Sequence, residues 1–328
     1  MKNNLIIALL NIVLVTSLVG EDAVFGKLEI LDQRMSDFFD SDPCIEVLAT
    51  GFNWSEGPVW VPKLNGVLFS DVPENKAFLW TEKKGLEVFL DPSGYTGYTV
   101  NKNKSGSNGL ALDQNGDLIL CQHGDRRIAV FNQWGSKSPK FETIVDRFET
   151  KRFNSPNDLV ISKDGSIFFT DPPYGLKGKD KDSLKELSYN GVYKRSPNGD
   201  VTLINGKLTR PNGIGLSLDE KTLYVANSDR IYPVIIAVDL TSGDYETSLF
   251  FDGTNLTKDR KGLFDGLKTH SSGVIFATGP GGVLVIDRNG KHLGTILLEN
   301  RTANCAFDSS ETYLYMTADS ALARISLK

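Results

Sequence analysis

The sequence predicts an all-β protein, a six-bladed β-propeller with four-stranded blades whose ring is closed by terminal strands. Three observations predict it. One module, a polar residue and short apolar run, a turn, and a second apolar run rich in β-branched and aromatic residues, recurs six times. No comparable window carries the 3.6-residue apolar period of a helix. The 328 residues, 40% of them hydrophobic, are enough for one large β domain with a substantial core.

The chain begins with an apolar stretch, residues 5–20, that follows Lys2 and precedes Glu21 and Asp22. This is the layout of a secretory signal, and it is short for a membrane span. Residues 1–20 therefore read as a signal peptide, with an uncleaved anchor as the alternative. The expected protein is exported, periplasmic or secreted, with no membrane attachment once the signal is removed. Residues 21–44 read as an N-terminal lead-in and residues 45–328 as the propeller. Ile45, Val47 and Ala49 alternate, and because an open ring leaves an unpaired edge, they are expected to pair with residues 322–327.

The six modules start at Glu56, Asn108, Asn157, Asn212, Asp265 and Asn304, spaced 52, 49, 55, 53 and 39 residues apart. Each reads as a hairpin about a turn such as Asn115-Gly116 or Asp164-Gly165. Residues 78–80 and 86–90, 128–131 and 141–145, and 191–194 and 201–204 supply outer strands. One blade cannot bury its own faces, so six stacked blades make one domain. Thirty-six basic against 41 acidic residues give a net charge of −5. That balance lacks the general attraction to phosphate backbones, so nucleic acid is not expected as a partner. Three cysteines cannot all pair; Cys121 and Cys305 lie in apolar runs and read as buried, inert thiols.

The six leading residues are expected at one height where the chain meets the strand nearest the axis, facing one another across a central channel. All carry side-chain oxygen, two as carboxylates and four as amides. Two carboxylates balance a divalent charge, and the absence of His and Cys argues against zinc or copper. Calcium is favoured over magnesium because a wide channel gives a larger, less strictly octahedral cage, although other divalent cations fit the same chemistry. The competing cause of such residues is their aptitude for turns before strands.

Ser55-Glu56-Gly57-Pro58-Val59-Trp60, Ser155-Pro156-Asn157-Asp158-Leu159, Arg210-Pro211-Asn212-Gly213-Ile214 and Asp265-Gly266-Leu267 resemble the motifs of the SMP-30/gluconolactonase/luciferin-regenerating family of six-bladed, calcium-dependent propellers. Residues 120–127 and 169–175 are similar to its bacterial gluconolactonase branch. The resemblance implies that Glu56, Asn212 and Asp265 bind a catalytic metal, with Asn157 a fourth ligand or a substrate contact, and that Asp265 doubles as the acid/base group. Phe264 stands where the family more commonly has proline.

The implied activity is calcium-dependent opening of a sugar-derived lactone such as gluconolactone. Asn108, His123, Arg126 and Tyr174 are the candidate substrate contacts, each with a purely structural role as the alternative. Two other functions stay open on the sequence: a non-catalytic propeller that binds protein or glycan, and a phosphotriesterase-like calcium hydrolase.

Overall fold

The computed structural model describes residues 25–40, 43–136 and 139–328. The expected signal peptide lies outside the described residues. Among them, no helix is long and apolar enough to cross a membrane.

Six antiparallel sheets of four or five strands follow one another along the chain, with a two-stranded ribbon, Arg147–Phe148 and Lys151–Arg152, after the second. Blade one is Ser55–Val61, Gly66–Asp71, Lys76–Thr81 and Gly85–Leu90; blade two is Ser107–Leu112, Leu118–Gln122, Arg127–Phe131 and Glu142–Val145. Blade three is Leu159–Ile161, Ile167–Asp171, Gly191–Arg195 and Val201–Asn205; blade four is Pro211–Leu216, Thr222–Asn227, Val234–Asp239 and Thr247–Asp252. Blade five starts with Leu267–Thr269, Ile275–Gly279, Gly282–Ile286 and His292–Leu298, and blade six with Thr302–Phe307, Tyr313–Ala318 and Ala321–Ser326. The first strand of each blade touches the first strands of its neighbours, so these strands line the axis.

The apolar runs are continuous because each blade is covered on both faces. In Leu118–Gln122, Leu118 and Leu120 join a cluster with Val61, Leu68 and Leu79 of blade one, whereas Ile119 and Cys121 join Leu159, Ile167 and Phe169 of blade three. Equivalent clusters fill the other four interfaces. This is why Cys121 and Cys305 are inert: both are free thiols buried between blades, and burial pushes Cys305 up to about 12 and Cys121 well above its ordinary value. Cys44 is free and exposed.

Closure follows the expected pairing of the terminal strands. Ile45–Thr50 is the outermost strand of blade six and pairs antiparallel with Ala321–Ser326, Ile45 opposite Ile325 and Val47 opposite Ala323. The described part of the lead-in does more than the sequence suggested. Gly26–Ile30 adds a fifth strand to blade five against His292–Leu298, and Met35, Phe38 and Phe39 then sink into the cluster between blades five and six.

Candidate active site

Two recurring fastenings fix where most of the first strands begin. The first is a carboxylate or amide at the end of a second strand, which accepts backbone N–H groups shortly before the leading residue. Asp71 accepts from Asn53 and Trp54 at 3.1 Å, Asp171 from Asn154 and Ser155 at 2.7 Å, and Asn227 from Arg210 at 2.8 Å. Asp319, just past the second strand of blade six, accepts from Arg301 at 3.0 Å. The second is a hydroxyl on a second strand that donates to the carbonyl of the next blade's first strand. Ser70 Oγ donates to the Asn108 carbonyl at 2.9 Å and Thr170 Oγ1 to the Asn212 carbonyl at 2.7 Å. The bonds at Asp171, Ser70 and Thr170 are buried and therefore costly to lose, and together these fastenings hold the leading side chains in place.

Glycine follows four of the leading residues, and its cause is close approach rather than turn geometry alone. A Cβ on Gly213 would lie 1.9 Å from the Asp265 carbonyl oxygen, and one on Gly57 would lie 2.0 Å from the Asn108 carbonyl oxygen. Only glycine lets adjacent first strands pack backbone to backbone at the axis.

A cavity of about 770 Å³ opens at this end of the axis, and Glu56, Asn108, Asn157, Asn212 and Asp265 all line it. The sixth leading residue stands behind the cavity wall yet still bonds the Glu56 carboxylate. Asn304 is buried but does not line the cavity; its amide donates to Asp158 Oδ2 at 3.2 Å and its Oδ1 accepts from Cys305 N–H and from Lys268 Nζ. Arg301 and Thr302 take blade six's share of the wall.

The floor is electrostatically poised. Burial raises the Glu56 carboxyl, and the nearby charge of Asp158 raises it further; the Gly57 N–H, Trp54 Nε1 and the Asn304 amide donate to it and offset this only in part. Asp265 is raised well above the usual carboxylate range by burial, then by Glu56 and by Asp158. Asn212 donates to Asp265. Three oxygens of this set, Asn108 Oδ1, Asn157 Oδ1 and Asp265 Oδ1, are sealed from solvent with no hydrogen-bond partner. Unpaired buried acceptors are costly, and two repelling carboxylates add to that cost. Both costs are relieved by the same thing, a hard cation among oxygen donors. Among the described residues no group of three or more His, Cys, Asp or Glu side chains can hold a metal alone, so any cation here depends on the amide oxygens as well.

His123, Tyr174 and Arg126 fare differently. His123 lines the cavity, fully buried, with Nε2 3.4 Å from Asn157 Nδ2; burial lowers its pKa to about 3, so the ring is neutral. Tyr174 also lines it, bonded to Ser228, its phenol pushed up to about 12 by burial. Arg126 is not brought to the cavity. Its Nε donates to the carbonyls of Phe153 and Asn154, and its guanidinium faces Glu186, which ties the loop before blade three. Sequence reasoning gave no role to Asp158, the buried third carboxylate beneath the floor. It stands at the second module position, where four other modules have glycine, and that irregularity was its only signal. Phe264, in the place of the commoner proline, is a buried packing residue against Phe251.

These features define a class: a six-bladed propeller whose axial cavity ends in a floor of carboxylate and amide oxygens. The chain belongs to the SMP-30/gluconolactonase/LRE-like family, whose model matches residues 54–320. It is 38% identical over 318 residues to a gluconolactonase from Zymomonas mobilis subsp. mobilis, covering 93% of this chain and 87% of that protein. A solved gluconolactonase from Xanthomonas campestris superposes with a TM-score of 0.80 at 29% identity, covering 92% of this chain and 95% of the other. The calcium-binding protein regucalcin from Agrobacterium tumefaciens shares the fold, with a TM-score of 0.65 at 16% identity, covering 86% and 94%.

Proposed function

We propose that the protein is a calcium-dependent lactonase that opens a sugar-derived lactone to the hydroxy acid. The observation that carries this reading is the convergence of Glu56, Asp265 and the unpartnered oxygens of Asn108 and Asn157 on one cavity floor. The kinship with a gluconolactonase at 38% identity supports the substrate class. Glu56, Asn157, Asn212 and Asp265 would hold the cation, with Asn108 as a substrate contact. When bound, the cation supplies Lewis-acid polarisation of the lactone carbonyl and a fixed positive charge for the oxyanion that develops there.

The chain's own residues do the rest. Water adds to the carbonyl carbon, the bond from that carbon to the ring oxygen breaks, and the ring oxygen leaves as a hydroxyl. Asp265 takes the proton from water and returns one to the ring oxygen. A carboxylate beside a dication is a modest base, so positioning and charge stabilisation contribute more to rate than proton transfer. His123, held neutral, and Tyr174, held protonated, can orient sugar hydroxyls without adding charge.

The test is competitive. Purified protein is assayed with an aldonolactone and with a phosphotriester, before and after chelation and calcium return. Lactone hydrolysis that chelation abolishes and calcium restores is expected. Preference for the phosphotriester, or calcium-independent turnover, would overturn the reading, and binding without turnover would leave a recognition module.

A further inference from the structure

The wall of the cavity is electrically lopsided. The arc formed by blades one to three offers neutral groups, among them Trp54, Asn103, Ser105 and Tyr174. The arc formed by blades four to six carries three cations, Arg230, Lys261 and Arg301. Arg230 sits between the second and third strands of blade four, Lys261 between blades four and five, and Arg301 between blades five and six, all exposed.

Neighbouring cations outside the wall are paired. Arg260, next to Lys261, binds Glu29 at 2.8 and 2.9 Å, and Arg210 pairs with Asp180. Arg230, Lys261 and Arg301 instead have side chains with no hydrogen bond or ion pair among the described residues. The acids beside them are already engaged: Asp229 binds the Thr209 hydroxyl and the Ile231 N–H, and Asp319 binds the Arg301 N–H. Asp229 and Asp319 keep their charge beside Arg230 and Arg301, and Glu56 and Asp265 lie at the floor, but among the described residues no carboxylate pairs with the three head groups that line the wall. Remote negative charge is screened within about 10 Å at ordinary salt, so the local field governs a ligand in the mouth.

We infer that the substrate is an anionic lactone, with a carboxylate or phosphate substituent remote from the ring carbonyl that Arg230, Lys261 and Arg301 receive. This rests on the lactonase reading and deepens it. The carbonyl lies at the acidic floor and the anion against the arc of blades four to six, which fixes the orientation of an otherwise hydroxyl-rich ring. Arginine suits the role because its planar fork can grip either anion with two parallel bonds.

The experiment compares three substrates of one ring type: a neutral aldonolactone, its counterpart with a terminal carboxylate, and its counterpart with a terminal phosphate. The kcat/KM of at least one anionic substrate is expected to exceed that of the neutral one by about tenfold or more at low salt, the size of one charge-assisted contact, and the gap should narrow at high salt. The carboxylate and phosphate arms identify which anion is preferred. Arg230→Gln and Arg301→Gln are each expected to lower the anionic-to-neutral ratio by about tenfold, mostly through KM. Lys83→Gln, on a turn at the far end of blade one, leaves that ratio unchanged.

A neutral lactone opened as well as both anionic ones, or a ratio that neither Arg230→Gln nor Arg301→Gln lowers, overturns the inference while leaving the lactonase reading intact. No turnover of any lactone overturns the lactonase reading instead. In that case, equilibrium binding of the ring-opened diacid or phosphorylated acid against the plain aldonate still decides the anion preference, and equal binding overturns it.

Discussion

Glu56 and Asp265 are acted on by burial, by one another and by Asp158, and no basic group is among the principal influences on either. Replacing either with its amide removes repulsion while preserving shape. Glu56→Gln and Asp265→Asn are therefore expected to lower lactone hydrolysis by about a hundredfold or more, with the metal-free melting temperature unchanged or raised and the calcium-induced rise lost. Retained hydrolysis in both variants would remove the pair from the chemistry. The same electrostatics sets a pH dependence. A carboxyl pushed up to about 7 from its ordinary 4.5 holds its proton in the metal-free fold at a pH where the unfolded chain has lost it. This contribution to metal-free stability is present on the acid side and lost as pH rises through about 7. Calcium must displace the protons that the raised Glu56 and Asp265 carboxyls hold, so its affinity should weaken with falling pH well before the ordinary carboxylate range is reached. Calorimetric titrations from pH 8 to 5 check this; constant affinity over that range would contradict carboxylate ligation.

At the scale of the strand, the site is made by what lies behind it. Asp171 ends the second strand of blade three and receives two buried N–H groups at 2.7 Å from the segment leading to Asn157. Asp171→Ala leaves both unsatisfied, at a cost of about 3 kcal/mol, or about 5 °C in a domain this large, and weakens calcium binding by displacing Asn157. A melting temperature unchanged with calcium affinity intact would show that the clamp does not position the ligand. The modules were legible because each places a polar leading residue before an apolar strand, and five of the six leading residues line the cavity. Other features had no local trace. Gly26–Ile30 pairs with a strand more than 260 residues away, and nothing in Gly-Lys-Leu-Glu-Ile marks that partner. Arg126 carried the right chemistry for a sugar contact, but two loop carbonyls claim its Nε, a tertiary fact that its neighbours in sequence do not encode.

The whole molecule depends on ring closure, because the candidate ligands come from blades one, three, four and five and hold their relative positions only while the ring is shut. Two truncations separate closure from packing. A chain starting at residue 41 loses the fifth strand of blade five and the burial of Met35, Phe38 and Phe39. Burying an apolar side chain contributes about 1.5 to 3 kcal/mol each, so this chain should be destabilised by about 5 kcal/mol yet fold and bind calcium, since Ile45–Thr50 still completes blade six. A chain starting at residue 51 loses that strand too. The edge of Ala321–Ser326 is then exposed, and Arg324 loses its bonds to Glu46 at 2.8 and 3.1 Å. An unpaired edge both frays the ring and templates association, so this chain should show no cooperative melting transition, no calcium-dependent stabilisation and a tendency to aggregate. The decisive measurement is thermal unfolding of both chains with and without calcium. If the shorter chain melts cooperatively and calcium raises its midpoint as in the full protein, the cavity floor does not require a closed ring, and the blades that supply it are held by their mutual packing alone.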